Sequence, residues 1–94
     1  MPRFISLLKF TEQGAKDIKK STNRAHAFDR AAEKAGVTVE AQYWTIGRYD
    51  GVLIVNAPDE KKALHLLSEL SSGGNVRSET MIALSDNEFD QVAS

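Results

Sequence analysis

Ninety-four residues suffice for one domain with a single hydrophobic core, near the size at which self-association adds useful burial. A hydrophobic share of 41%, a charged share of 27% and a net charge of -1 leave no global field to attract nucleic acid or an anionic membrane. The absence of cysteine excludes disulfides, thiolate catalysis and thiolate metal sites. Neither a leader-like start nor a run near the roughly 20 apolar residues of a membrane span is present, so the expectation is a soluble, cytoplasmic protein.

The first run, Arg3 to Phe10, is short and rich in aromatic and branched residues, and predicts a strand. Thr11 follows as a helix N-cap, with Glu12 near the positive end of the helix dipole. Ala15, Ile18, Thr22, Ala25, Phe28, Ala32 and Ala35 recur at spacings of three and four, the signature of one face packed on a sheet. Ser21-Thr22-Asn23 is the weak point, because these side chains compete for backbone hydrogen bonds and can divide the segment into two helices. Gly36 supplies a left-handed end.

Val37 to Ile46 predicts the second strand, with Val37, Val39, Ala41 and Tyr43 alternating against Thr38, Glu40, Gln42 and Trp44. Val52 to Ala57 predicts the third, and its near-continuous apolar run is the pattern of a strand covered on both faces. Pro58 stops it and Asp59 caps a second helix whose stripe is read as Leu64, Leu67 and Leu70, ended by Gly73-Gly74. Val76 to Leu84 is the fourth strand. Residues 85–94 form a short terminal helix or tail of the single domain that spans residues 1–94.

The order βαββαβ closes through right-handed crossovers into an α+β, ferredoxin-like plait: a four-stranded antiparallel sheet with two helices on one face. Its spatial strand order is fourth, first, third, second. The central third strand nevertheless offers apolar side chains to both faces, so something must cover the side opposite the helices. A second copy, packed sheet to sheet, is the economical cover. The alternative is a monomer shielded by its own C-terminal segment.

The same topology gathers the end of the first strand, the hairpin Gly47 to Gly51 and the loop Gly73-Gly74-Asn75 at one end of the sheet. Asp50-Gly51 is a common turn pair, so the hairpin can be a solvated turn. As a site, Arg48 would clamp an anion, Tyr49 would stack on or donate to a ligand, and Asp50 would accept a proton or orient its neighbours. Gly47, Tyr49 and Asp50, together with "FTEQGAKDIKKS", Arg24, "APDEKKAL" and "GGNVRSETM", run the length of the chain. In these landmarks the sequence resembles the GYD domain family. That resemblance implies a relationship to dimeric α+β barrels, in which two plaits join by their sheets; related barrels include monooxygenases, isomerases and ligand sensors, so it implies no particular reaction.

Further candidates are weighed on their own residues. His26, one position past Ala25, is a general acid/base candidate if it turns toward the helix–sheet cleft, and otherwise a boundary histidine. His65 falls off the leucine stripe and is read as exposed. Two histidines without supporting spacing argue against a metal site, and no cofactor is expected. Arg24 stands beside the helix break, either ion-paired to Glu79 or Asp50 or free for an anion. Tyr43 and Trp44 occupy opposite sheet faces, with Trp44 a candidate ligand contact, and Arg77 and Glu79 share a face. Lys16, Lys19 and Lys20 are a solvated helix face, as are Glu60, Lys61 and Lys62.

The favoured function is a homo-oligomeric binding module that holds a small, partly apolar molecule between helices and sheet, with Arg24, Trp44, Arg48, Tyr49 and Asp50 as contacts. Its expected partners are a second copy and that molecule, with neither nucleic acid nor membrane. A cofactor-independent enzyme using His26 or Asp50 as base is the alternative, and a structural or interaction protein without ligand is the third reading.

Overall fold

The computed structural model describes residues 2–94, in the order β1 (Arg3–Phe10), α1 (Glu12–Lys16), a 3-10 turn (Ile18–Lys20), α2 (Ser21–Lys34), β2 (Thr38–Trp44), β3 (Gly51–Asn56), α3 (Glu60–Ser72), β4 (Val76–Ala83) and α4 (Asp86–Ala93). All pairings are antiparallel and the strands run β2-β3-β1-β4 across the sheet, which is the ferredoxin-like order.

Helices α2 and α3 cover one sheet face. Phe28 and Ala32 from α2 and Ala63, Leu66 and Leu67 from α3 close on Phe4, Leu53 and Val55. Leu66 and Val55, 2% and 1% exposed, each contribute on the order of 1.5–3 kcal/mol through burial. The predicted α3 stripe is therefore corrected: Leu64 is 69% exposed and the packed face is Ala63, Leu66, Leu67 and Leu70. Asp59 caps the helix as expected, its carboxylate accepting from Lys62 N–H, and packing on the sheet selects Ala63 and Leu66 over Leu64.

Two other expectations change. The first helical segment breaks at Asp17, earlier than Ser21 to Asn23, so Ala15 and Ile18 stay exposed and only Phe28 and Ala32 of the proposed stripe are fully buried. In β2 a bulge between Val39 and Ala41 interrupts the alternation. Val39 opposes the buried Val55, but beyond the bulge Gln42 and Trp44 oppose Leu53 and Gly51. Trp44 thus lies on the helix side, while Ala41 and Tyr43 lie on the open side.

The opposite sheet face carries Ile5, Leu7, Val52, Ile54, Tyr43 and Met81, none of them buried. Helix α4 does not cover it. The molecule measures 47 × 31 × 18 Å, and the thin dimension matches one sheet and one helical layer spaced by roughly 10 Å.

Candidate functional site

The rim of the plait is tied by backbone-level contacts. Thr11 N–H donates to the Asn75 carbonyl at 3.0 Å, and the Thr11 hydroxyl donates to the Gly74 carbonyl at 2.6 Å while accepting from Gly14 N–H. Gly14 has no room for a side chain, because a Cβ there would stand 2.0 Å from the Asn75 carbonyl oxygen. On the other side of β1, Asp50 N–H donates to the Leu8 carbonyl and the Asp50 carboxylate accepts from Phe10 N–H, both at 2.8 Å. The hairpin, the β1 end and the Gly73-Gly74-Asn75 loop therefore share one end of the sheet, as their sequence order requires.

Behind this rim, between α2 and the sheet, lies a partly open cavity of about 90 Å³. Its walls are mainly apolar, from Leu8, Phe10, Phe28, Leu53, Leu70 and Val76, and its polar groups come from Ser21, Arg24, Gln42, Trp44, Asp50 and Asn75. The indole N–H of Trp44 donates to Ser21 Oγ at 2.8 Å, and Gln42 donates to the Asp29 carboxylate, so these two already have partners. Arg24 is only half satisfied. Nη1 donates at 3.0 Å to the Asp17 carbonyl, which also accepts from Lys20 N–H, whereas Nη2 is buried without a hydrogen-bond partner. Among the described residues Arg24 forms no ion pair with Glu79 or Asp50, in contrast to the pairing weighed from the sequence.

The hairpin residues part company. Asp50 lines the cavity, whereas the Tyr49 hydroxyl donates to Glu79 Oε2 at 2.5 Å, and Glu79 lies on the open face opposite Leu7. The Glu79 carboxylate holds the Tyr49 phenol above its ordinary value, chiefly through that hydrogen bond, because the phenolate would face a carboxylate. The Arg48 guanidinium sits 5.8 Å from the Tyr49 ring centroid, a cation–π arrangement outside the cavity. His26 is exposed on α2 and does not line the cavity; His65 is exposed and contacts Glu69 at 3.0 Å. The structure thus brings Arg24, Trp44 and Asp50 together and leaves Arg48, Tyr49 and His26 outside.

Comparison with known proteins gives this geometry a family. The GYD domain description matches residues 4–93. The chain belongs to the GYD domain family. A curated relative, the glutamine synthetase and cystathionine beta-lyase binding protein of Thermus thermophilus, is 35% identical over 85 residues, covering 89% of this chain and 90% of the relative. Among solved structures, the feast or famine regulatory protein of M. tuberculosis, complexed with L-methionine, superposes with a TM-score of 0.68 at 19% identity. The match covers 90% of this chain and 51% of that one. The crystal structure of a hypothetical protein from Pyrococcus horikoshii matches at a TM-score of 0.59 and 17% identity, covering 92% of this chain and 93% of that one. These likenesses establish the plait as the fold of this GYD domain.

Sequence reasoning missed several contributors to the site in this GYD domain. Gln42 entered the cleft through the bulge, and Ser21 through its position at the first turn of α2. Gly14 closes the end of the cleft against Asn75, whose loop was already expected at this rim. A signal for Gly14 was present: a glycine inside a capped first turn lowers helix propensity and usually has a packing reason.

Proposed function

We propose that this GYD domain is a homodimeric binding module whose cleft between α2 and the sheet takes a small organic anion. One observation carries the reading: Arg24 lines the cavity, and its Nη2 is buried without a hydrogen-bond partner. An unsatisfied buried donor costs about 1–3 kcal/mol, and a carboxylate oxygen placed there would remove that cost and add a charge-assisted bond. The apolar wall accepts a short hydrocarbon body. By proportion to a cavity of roughly 150 Å³ that holds benzene, about 90 Å³ encloses roughly four non-hydrogen atoms, with the remainder of a larger ligand emerging through the open side. The homodimer is supported by the apolar face of Ile5, Leu7, Val52, Ile54 and Met81, which nothing among the described residues covers.

Native mass spectrometry of the untagged protein, followed by calorimetric titration with acetate, propionate and butyrate, tests the reading. Wild type should bind at least one of them, and Arg24→Met should weaken binding roughly 10- to 100-fold, the worth of one charged hydrogen bond. Binding unaffected by Arg24→Met, or no binding by wild type and no retained mass, overturns it.

A second reading is favoured by the T. thermophilus relative, which is named for binding two enzymes. In that reading the exposed apolar residues, including Ile46 at the hairpin tip, meet another protein. Recovery of a defined enzyme in stoichiometric complex with the wild-type chain, lost on Ile46→Asp, would select it.

A further inference from the structure

Helix α4 is strongly specified for eight residues. Ser85 Oγ accepts from Glu88 N–H at 3.2 Å while Glu88 Oε1 accepts from Ser85 N–H at 2.9 Å, a complete capping box. Leu84 and Phe89 occupy the two positions of a hydrophobic staple. An isolated helix this short is not stable in water, so a sequence that encodes both devices implies a packing partner. None is present among the described residues: Leu84, Phe89 and Val92 are 46%, 58% and 72% exposed, and the 18 Å thickness leaves no layer on the open sheet face.

Two unpartnered apolar surfaces thus exist in one chain; α4 is acidic, whereas the open sheet face, whose Glu79 is held by Tyr49 and whose Glu40 is paired with Arg3, is basic at one end. α4 carries Asp86, Glu88 and Asp90 with no Lys or Arg. The open sheet face carries Lys9 and Arg77, directly opposed in register, and neither has a carboxylate partner among the described residues. These bases are at the wrong end of the sheet for the chain's own helix. α4 leaves from Ala83, which pairs with Arg3, and the six residues from Arg3 to Lys9 span about 20 Å, against about 12 Å for the whole of α4. A two-fold axis in the interface plane, perpendicular to the strands, lays the Ala83 end of one copy over the Lys9 and Arg77 end of the other.

We propose that α4 is an exchanged arm that docks its Leu84, Phe89 and Val92 stripe on the open sheet face of a second copy, with Asp86 and Asp90 against the partner's Lys9 and Arg77. This rests on the homodimer reading and adds to it who covers which surface. Mutual exchange gives a closed two-fold assembly, which stops at two copies.

The cysteine-free chain makes the test clean. Full-length Lys9→Cys and a mass-tagged Asp90→Cys are mixed, equilibrated and treated with a short bis-maleimide. The expected product is a mixed dimer containing one chain of each. If a chain carrying both Lys9→Cys and Asp90→Cys instead cross-links within itself, α4 covers its own sheet and the arm is refuted. A dimer by light scattering without the mixed product also refutes the arm while leaving the homodimer standing; a monomer removes both. Independently, Phe89→Ala should raise the dimer dissociation constant about thirtyfold, the effect of losing a central aromatic anchor. Lys9→Glu with Arg77→Glu should raise it tenfold or more, and adding Asp86→Lys with Asp90→Lys should recover it. Unchanged dimerisation in either variant set overturns the proposal.

Discussion

Replacing Gly14 by alanine sets two opposite effects against each other. In a helix free of neighbours the change would stabilise by about 0.8–1.0 kcal/mol, the difference in helix propensity. Here the new Cβ would meet the Asn75 carbonyl oxygen at 2.0 Å, where ordinary contact begins at 3.4 Å, and it would also press on the Asn75 carbonyl carbon at 2.9 Å. Asn75 cannot easily yield, because that carbonyl accepts from Thr11 N–H and the preceding one accepts from the Thr11 hydroxyl. A displacement of more than an ångström between two backbone segments belongs at the upper end of overpacking costs, about 3 kcal/mol. Subtracting the propensity gain leaves a net loss of about 2 kcal/mol, which for a domain of this size lowers Tm by roughly 8–16 °C. Differential scanning calorimetry and urea unfolding read the change. A Tm equal to or above wild type would refute the close approach of α1 to the start of β4 and, with it, the closed end of the cavity.

Other perturbations address the rim and the sheet edge. Asp50→Ala removes the acceptor of Phe10 N–H and should cost about 1–3 kcal/mol in urea unfolding; Asp50→Asn keeps an acceptor oxygen and should recover most of that stability, an outcome a purely electrostatic role would not give. Glu40 is held below its ordinary value first by its hydrogen bond from Arg3 and then by Asn56. A carboxylate whose folded pKa is depressed adds stability above the unfolded pKa and loses it as pH falls through the folded one. Wild-type urea midpoints should therefore fall more steeply than those of Glu40→Gln below the ordinary glutamate value of 4.5, and parallel curves would dismiss the Arg3–Glu40 contact as a contributor.

The plait was legible because its determinants are local and repeated: Thr11 and Asp59 as caps, Gly36 and Gly74 at positive φ, and strands of the right length between them. What escaped is set by tertiary detail. A single extra residue at Glu40 exchanged the faces of everything after it in β2, and periodicity cannot register a bulge whose flanking residues are all compatible with a strand. Leu67 and Leu70 of the α3 stripe pack as expected, but Leu64 was misplaced because Leu64, Leu66 and Leu67 are equally apolar and only packing distinguishes them. The capping box and staple of α4 were readable in "LSDNEF", but their meaning depends on an exposed stripe that only the structure reveals. Of the residues that line the candidate cleft, Arg24, Trp44 and Asp50 were named from sequence and Asn75 was placed at its rim, whereas Ser21 and Gln42 depended on the break and the bulge.

The hairpin Gly47 to Asp50 is best understood through the commitments of its polar groups. Asp50 binds the end of β1 through both its N–H and its carboxylate. The Tyr49 hydroxyl is held by Glu79 and its carbonyl accepts from the Thr45 hydroxyl at 2.6 Å, while Thr45 N–H donates to the Asp50 carbonyl. Reactive residue types thus occupy the turn, yet they anchor it to β1, to β4 and to itself. The anchoring also divides the element between two surfaces, with Asp50 at the cleft and Tyr49 on the open face. Arg24 differs from all of them in that one of its buried donors is not committed to anything. With Thr45, Tyr49 and Asp50 spent on architecture, the turn stabilises one wall of the cleft, and the unpaired Arg24 nitrogen is the donor on which the proposed binding reading rests.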